Sequence, residues 1–89
     1  MKEKREKEKF IRAVFPSFHI EIDKRENGLN LIMQGIKNIE EYGEERIIVK
    51  IKEGRVYMLG KALSISMFEN RTAEIRGYIS EVKFVYDRA

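Results

Sequence analysis

Apolar and polar residues alternate with a period of two over most of the chain after Pro16. Such alternation is typical of β-strands that bury one face. Residues 18–23, FHIEID, place three apolar side chains on one face and three polar side chains on the other. Five segments share this pattern, and their predicted core-facing residues are Phe18, Ile20, Ile22, Leu29, Leu31, Met33, Ile47, Val49, Ile51, Leu63, Ile65, Met67, Val82, Phe84 and Tyr86. The pattern therefore predicts an all-β fold of about seven or eight short strands.

Three turns connect consecutive alternating segments into predicted hairpins. Asn27-Gly28 is a dipeptide that favours a tight turn with positive φ. Glu53-Gly54 supplies a second turn, and residues 69–72, ENRT, supply a third. Because each turn is short, we expect the strands that it joins to pair in the antiparallel sense.

Residues 36–42 fit the alternation least well. Their apolar residues Ile36, Ile39 and Tyr42 lie three positions apart rather than two. This spacing predicts either a bulged strand or a segment that contains a helical turn. Gly43 then marks the turn into the next predicted strand.

Three glycines, Gly35, Gly60 and Gly77, each divide an apolar run of about twelve residues. One straight strand of that length would be unusual, because strands have mostly about five or six residues. Glycine tolerates the bulge or sharp bend by which a strand leaves one sheet and enters another. We therefore expect a small antiparallel sandwich or roll with glycine-bent strands. A phosphate-cradling loop would instead need glycines clustered before a helix, beside Lys and Ser or Thr.

Residues 1–16 have a different pattern and form a charged leader. Lysines and glutamates alternate at four-residue spacing, which gives weak support to a helix. The apolar residues of the leader follow as a short helical stripe: Phe10, Ile11, Val14 and Phe15. We expect a short amphipathic helix that Pro16 ends, followed by a single β domain at residues 17–89. The four apolar residues either cover the core of that domain or dock on a partner or a membrane surface.

The composition and charge exclude several classes of protein. The 89 residues contain no cysteine, which excludes disulfides, thiolate zinc sites and thiol nucleophiles. With no signal-peptide pattern and no apolar run of about 20 residues, we expect a cytoplasmic protein. The net charge is +3. Residues 1–12 carry six basic and three acidic side chains, which leaves 12 of each in the remaining 77 residues. A neutral body argues against a broad basic surface for nucleic acid.

Candidate catalytic groups are few. His19 is the only histidine, so neither a triad nor a histidine-based metal site is available. The acidic pairs Glu40-Glu41 and Glu44-Glu45 surround a turn, and adjacent strand residues point to opposite faces. We interpret them as solvated charges. The sequence therefore predicts no catalytic, metal-binding or cofactor-binding residues and no enzyme activity.

Binding functions remain open at this point. Small sheet architectures leave unpaired strand edges that bind another chain, so we expect either homo-oligomers through strand edges or a protein partner. The alternative function is that of a small β-barrel that binds nucleic acid through aromatic side chains on a strand face.

The order of these elements resembles that of the YabP/YqfC family of sporulation proteins. The similarity extends from about Phe18 to Tyr86, and its most specific part is residues 35–65, GIKNIEEYGEERIIVKIKEGRVYMLGKALSI. There a glycine precedes apolar-Lys and apolar-Glu pairs, an aromatic residue, paired acids, an apolar strand and a turn. The closing segment, AEIRGYISEVKFVY, is similar to the end of the family pattern.

The resemblance implies a non-enzymatic protein made by endospore-forming bacteria during sporulation. Members of the family act in the mother cell, in building the spore envelope, particularly around cortex formation. They are typically encoded beside a membrane protein, so the implied partner is a membrane protein at the forespore membrane. The implied location is the mother-cell cytoplasm, with peripheral attachment at the forespore membrane as a further expectation. The resemblance implies no cofactor, and it supplies no catalytic or ligand-binding residues.

Overall fold

A computed structural model describes residues 18–87, which form one antiparallel sheet of six strands and contain no helix. The strands are β1 (His19–Arg25), β2 (Gly28–Gln34), β3 (Ile36–Tyr42), β4 (Arg46–Ile51), β5 (Gly54–Glu69) and β6 (Thr72–Tyr86). Their order in the sheet is β1-β2-β6-β5-β4-β3. The prediction of an all-β antiparallel fold is confirmed, whereas the predicted helical leader lies outside the described residues.

The described chain has six strands rather than the seven or eight that we predicted. β5 and β6 are 16 and 15 residues long and continue through the bends at which separate strands were expected. They pair with each other along their whole length. β4 joins the first half of β5, residues 54–59, whereas β2 joins the first half of β6, residues 72–77. This long hairpin therefore divides the sheet into two half-sheets.

The inward faces of the two half-sheets share one core. The first half-sheet, which consists of β1, β2, the first half of β6 and the second half of β5, contributes Leu31 and Ile75. The second half-sheet, which consists of β3, β4, the first half of β5 and the second half of β6, contributes Val49 and Met58. All four are 0% exposed. Because fully burying such a side chain stabilises a fold by about 1.5–3 kcal/mol, this core holds the two half-sheets face to face.

Most of the predicted core residues are buried or half-buried, but three predicted ones are exposed: Ile22, Met67 and Tyr86. The prediction for Met67 is wrong because β5 is bulged beside it. Ile65 pairs with Ile75 and Phe68 pairs with Ala73, so β5 has one more residue than β6 between these pairs. The extra residue turns Met67 to the outer face and gives the core side to Phe68.

Bulges also explain the three-residue spacing in β3. Ile36, Ile39 and Tyr42 pair with residues 51, 49 and 47 of β4, and the register shifts once between each two of these pairs. Each shift adds one residue to β3, so residues three apart face the same side of the sheet. The bulged strand, and not the helical turn, is the alternative that the structure contains.

The three hairpin turns lie close to their predicted positions. The loop between β1 and β2 is Glu26-Asn27, and the positive φ of +115° lies at Gly28, which pairs with Arg25. The loop between β5 and β6 is Asn70-Arg71, with φ of +52° and +61°. Two consecutive residues with positive φ match the twist of the long hairpin, at the cost of strain in residues that carry a Cβ.

The bend in the long hairpin depends on very close approach of its two backbones. The register between β5 and β6 shifts before the pair of Gly60 with Ile79 and again after the pair of Lys61 with Tyr78. A Cβ on Gly60 would collide with the carbonyl oxygen of Tyr78, and a Cβ on Gly77 would lie 2.7 Å from that of Ala62. Gly77 also has a φ of +141°, a conformation that L-residues with a Cβ rarely adopt. We call residues 60–63 of β5 and 77–80 of β6 the corner.

Replacing Gly77 at the corner should destabilise the fold. We expect Gly77→Ala to lower the free energy of unfolding by about 1–3 kcal/mol, because it combines a steric collision with an unfavourable φ. Gly43→Ala is the matched control, since its Cβ would meet only the carbonyl oxygen of Arg46, at 3.4 Å. Its effect should stay within about 0.5 kcal/mol. Urea unfolding of both variants checks this, and equal effects would contradict the role of the corner.

The opposite substitution at the corner should stabilise the fold. Ala62 is exposed and has a φ of +54°. Ala62→Gly removes the strain of this left-handed conformation, about 1–2 kcal/mol. It also increases the conformational entropy that the chain loses on folding, at a cost of about 0.5–1 kcal/mol. We expect a net gain of about 0.5 kcal/mol in thermal or urea unfolding. Ala73→Gly, at a buried position within β6, should lower stability instead. A loss of stability in both variants would show that Ala62 is not strained.

Candidate interaction surface

The structure places the three glycines singled out in the sequence, but it does not describe the leader residues considered for docking. Gly60 and Gly77 lie at the corner, and Gly35 lies between β2 and β3 with a φ of +96°. The backbone N–H of Gly35 donates a hydrogen bond of 2.9 Å to the carbonyl oxygen of Arg71. These glycines thus lie where the chain bends or crosses between half-sheets. The leader residues, which lie outside the described part of the chain, are Phe10, Ile11, Val14 and Phe15.

The histidine and the first acidic pair lie on the surface, and each contacts a polar partner there. The side chain of His19 is 49% exposed, and its Nε2 lies 3.0 Å from a carboxylate oxygen of Glu21. Arg46 donates to Glu41, and Arg55 donates to Glu40, each over 2.6 Å. These carboxylates raise the pKa of their arginine partners, chiefly through the hydrogen bonds. Exposed pairs of this kind contribute little to stability.

The second acidic pair lies beside a broad depression of about 880 Å³ at the turn between β3 and β4. Glu44 and Glu45 line it together with Arg46 and Leu59. The backbone carbonyl oxygens of both glutamates accept hydrogen bonds from β5. Within residues 18–87, no group of three or more His, Cys, Asp or Glu side chains is arranged to hold a metal ion.

β3 and the second half of β5 are the edges of the two half-sheets on one side of the molecule. Hydrogen bonds join these edges at one end. The backbone N–H of Leu63 donates to the carbonyl oxygen of Glu44 over 2.8 Å, and that of Ile65 donates to Oη of Tyr42 over 3.1 Å. Edge N–H groups that would be open to another chain are therefore satisfied within the molecule.

The other end of β3 contacts the turn that follows β5. The backbone N–H of Ile36 donates to the carbonyl oxygen of Arg71 over 3.1 Å, and Nε of Arg71 donates back to the carbonyl oxygen of Ile36 over 3.3 Å. β3 therefore lies beside β5 and is fixed at both ends. We call the line between them the β3–β5 seam.

Two aromatic side chains stand exposed at the β3–β5 seam. Tyr42 is 58% exposed and Phe68 is 46% exposed, although both lie on the core side of their strands. Ile39 and Ile65 are partly buried against the core beside them. We call these four residues the aromatic patch. Exposed apolar groups next to a strand edge are suited to bind an apolar segment of another protein.

A polar network lies on the outer face of the first half-sheet. Asn30, which is 2% exposed, donates from Nδ2 to Glu74 over 2.9 Å and accepts from Nε of Arg76 over 3.2 Å. Ser66 donates to the other carboxylate oxygen of Glu74 over 2.7 Å. The network joins β2, β6 and β5 and satisfies the buried amide. The hydrogen bonds from Ser66 and then Asn30 lower the pKa of Glu74.

Sequence reasoning assigned no role to this network. The available indication was one polar residue, Asn30, inside the apolar run of residues 29–33. Its partner Glu74 is 44 residues away, so only the pairing of β2 with β6 shows that the polar residue is buried and bonded. The aromatic patch was missed for a related reason, because Phe68 takes the core side only after the bulge in β5.

Comparisons with known proteins identify a family. A family model described as the YabP family matches residues 18–89. Neither the curated proteins nor the solved structures contain a match to the chain. No helix within residues 18–87 is both long enough and apolar enough to cross a membrane.

The polar network should make stability depend on pH. Because folding lowers the pKa of Glu74, its contribution is complete above about pH 4.5 and is lost as the pH falls through the lower folded-state value. We expect Glu74→Gln to reduce the loss of stability between about pH 5 and pH 3, measured by urea unfolding. Glu69→Gln, at the exposed end of β5, is the control. Asp87, whose pKa is lowered chiefly by the hydrogen bond from Lys50, should supply part of the remaining dependence. Identical pH profiles for Glu74→Gln and the wild type would contradict the assignment.

Proposed function

The chain belongs to the YabP family, as the resemblance predicted, and we propose that it is a non-enzymatic adaptor in spore-envelope assembly. Membership of the family indicates a sporulation-related protein. The finer role that we propose is in cortex formation, in the mother cell, through a membrane protein at the forespore membrane. The observation that carries the proposal is the family match, since it covers every described residue and therefore the whole sheet.

The aromatic patch is the surface that we propose for the partner. Tyr42 and Phe68 present large apolar groups at fixed positions, because hydrogen bonds hold both ends of β3 against β5. Aromatic side chains of this kind often dominate the affinity of an interface. Burying one such side chain fully contributes about 1.5–3 kcal/mol. The partner would contribute an apolar segment that lies across the β3–β5 seam.

The proposal assigns no reaction to the protein. Of the titratable residues singled out in the sequence, His19 contacts Glu21 on β1, whereas the first acidic pair, on β3, forms exposed ion pairs with arginines. An active site would bring such groups together in one cavity and perturb them there. An adaptor requires only a binding surface of stable shape. The shared core and the hydrogen-bonded β3–β5 seam support such a surface.

Binding of nucleic acid is the rival function, and the exposed aromatic side chains are the observation that favours it. Tyr42, Phe68 and Tyr78 are each at least 46% exposed, and stacking on bases needs such groups. Fluorescence anisotropy with single-stranded and duplex oligonucleotides at rising salt separates the two functions. The adaptor proposal predicts no binding at micromolar protein. Salt-sensitive micromolar binding by the folded protein would favour the rival.

A substitution in the aromatic patch tests the adaptor proposal. We expect Phe68→Ser, in place of the chromosomal copy, to lower the number of heat-resistant spores at least about tenfold, since loss of one anchor can cost 2 kcal/mol or more in binding. Val85→Ser is the matched control, because Val85 is 41% exposed but lies on the outer face of the second half-sheet. It should leave spore heat resistance unchanged. Thermal unfolding should show that both variants are folded.

The physical partner is tested in the same strains. Membrane proteins that co-purify from detergent-solubilised membranes of sporulating cells are compared for the wild type, Phe68→Ser and Val85→Ser. We expect one membrane protein to be lost with Phe68→Ser alone. The adaptor role would be refuted if cells without the protein formed a normal cortex and fully heat-resistant spores.

A further inference from the structure

A second pair of strand edges lies on the opposite side of the molecule from the β3–β5 seam. Within residues 18–87, β1 pairs with β2 alone, and the second half of β6, residues 78–86, pairs with β5 alone. The rings of Phe18 and Phe84 pack edge to face, with centroids 6.1 Å apart. The start of β1 therefore lies near the end of β6.

The other end of β1 lies near the corner. A cavity of about 340 Å³ is lined by Lys24 and Arg25 from the end of β1 and by Tyr78 and Ile79 from β6. β1 thus runs beside the second half of β6 in the opposite direction, although no pairing register joins the two strands among the described residues. We call the space between them the β1–β6 opening.

Core-side residues at the β1–β6 opening are incompletely covered. Ile22 and Tyr86 are 56% and 54% exposed. Both lie on the core side of their strands, because Ile22 pairs with buried Leu31 and Tyr86 pairs with buried Gly54. Ile20 and Val82 are only partly buried. Completing the burial of such side chains would contribute up to about 1.5–3 kcal/mol for each one.

The leader is joined to the β domain at one end of this opening. Its last residue is followed within two positions by Phe18, which is 5% exposed and packs on Phe84 at one end of the opening. Residues 10–15 would span about 9 Å as a helix and at most about 20 Å if extended. The seven residues of β1 span about 23 Å. As a helix, residues 10–15 are therefore long enough to cover the part of the opening nearest Phe18, which includes Ile20 and Val82.

The leader also has the right surface. Its four apolar residues, Phe10, Ile11, Val14 and Phe15, have the spacing of one helical face. We propose that this face packs into the β1–β6 opening and completes the core. The inference does not rest on the proposed function. It decides between the two roles left open for the leader, and it leaves the aromatic patch as the surface available to a partner.

A spin label on the leader tests the proposal in the full chain. The protein has no cysteine, so Arg12→Cys, on the polar side of the predicted helix, supplies one attachment point. We expect the label to attenuate the amide NMR signals of Ile20, Ile22 and Val82 by more than half. Signals of β3 and β4 should keep their intensity. A label at Asn38→Cys, an exposed residue of β3 at the opposite side of the molecule, is the control and should spare β1.

The other possible occupants of the opening give different outcomes. If no signal of residues 18–87 is attenuated, the leader does not pack on the β domain. Attenuation at Tyr42 and Phe68 would place the leader on the aromatic patch. A mixed sample of spin-labelled unenriched protein and unlabelled ¹⁵N-enriched protein detects contacts between copies. Attenuation in that sample at β1 would assign the opening to a second copy. Each of these results would overturn the proposal.

Hydrogen exchange provides a second, independent measurement. We expect the double variant Phe10→Ser/Phe15→Ser to speed amide exchange in β1 about tenfold or more, because β1 would lose the cover on its core side. Lys9→Ser, beside the apolar stripe, is the matched control and should leave exchange unchanged. Unchanged exchange in the double variant would contradict the proposal even if the spin label lay near β1.

Discussion

The fold depends on the contact between two backbones at the corner of the long hairpin. Gly60 and Gly77 bring β5 and β6 so close together that a Cβ on either glycine would strike the opposite backbone. This closeness lets both strands bend, with shifts of register at the corner and regular pairing on either side of it. Because the strands are continuous through the bend, one hairpin supplies two strands to each half-sheet. The shared core, the seam and the opening all follow from that geometry.

The corner also determines which strand edges have no neighbouring strand in their half-sheet. A sheet that bends over itself leaves two lateral gaps, one on each side. On one side, tyrosine and backbone hydrogen bonds fix β3 against β5, and the remaining exposed groups are aromatic. On the other side, β1 and β6 are linked by the contact of Phe18 with Phe84. The two gaps therefore differ, and the proposed partner and the proposed leader contact are assigned to opposite sides of the molecule. The outer network around Asn30 links β2, β6 and the second half of β5 in the first half-sheet.

The sequence was informative where a rule is local. Alternation identified the strands and most core faces, and the three turns identified the hairpins, because neighbouring residues decide both. The sequence was uninformative where the position of a side chain depends on pairing with a distant strand. The bulge that exchanges Met67 for Phe68 becomes visible only in the register against β6, and the burial of Asn30 depends on Glu74 in a distant strand. The strand number was overestimated because a glycine can bend a strand without ending it. The aromatic patch could not be predicted, since it requires both the bulge and the approach of β3 to β5.

The shared hairpin has a consequence for how the protein reaches its folded state. β2 is complete by residue 34, yet its second neighbour in the sheet begins at Thr72. The β1–β2 hairpin therefore keeps an apolar face in water until β6 is available to pair with β2. Isolated two-stranded hairpins are at best marginally stable, and closing long loops slows folding. The long separation in sequence between β2 and β6 thus makes the pairing of these two strands a late step of folding.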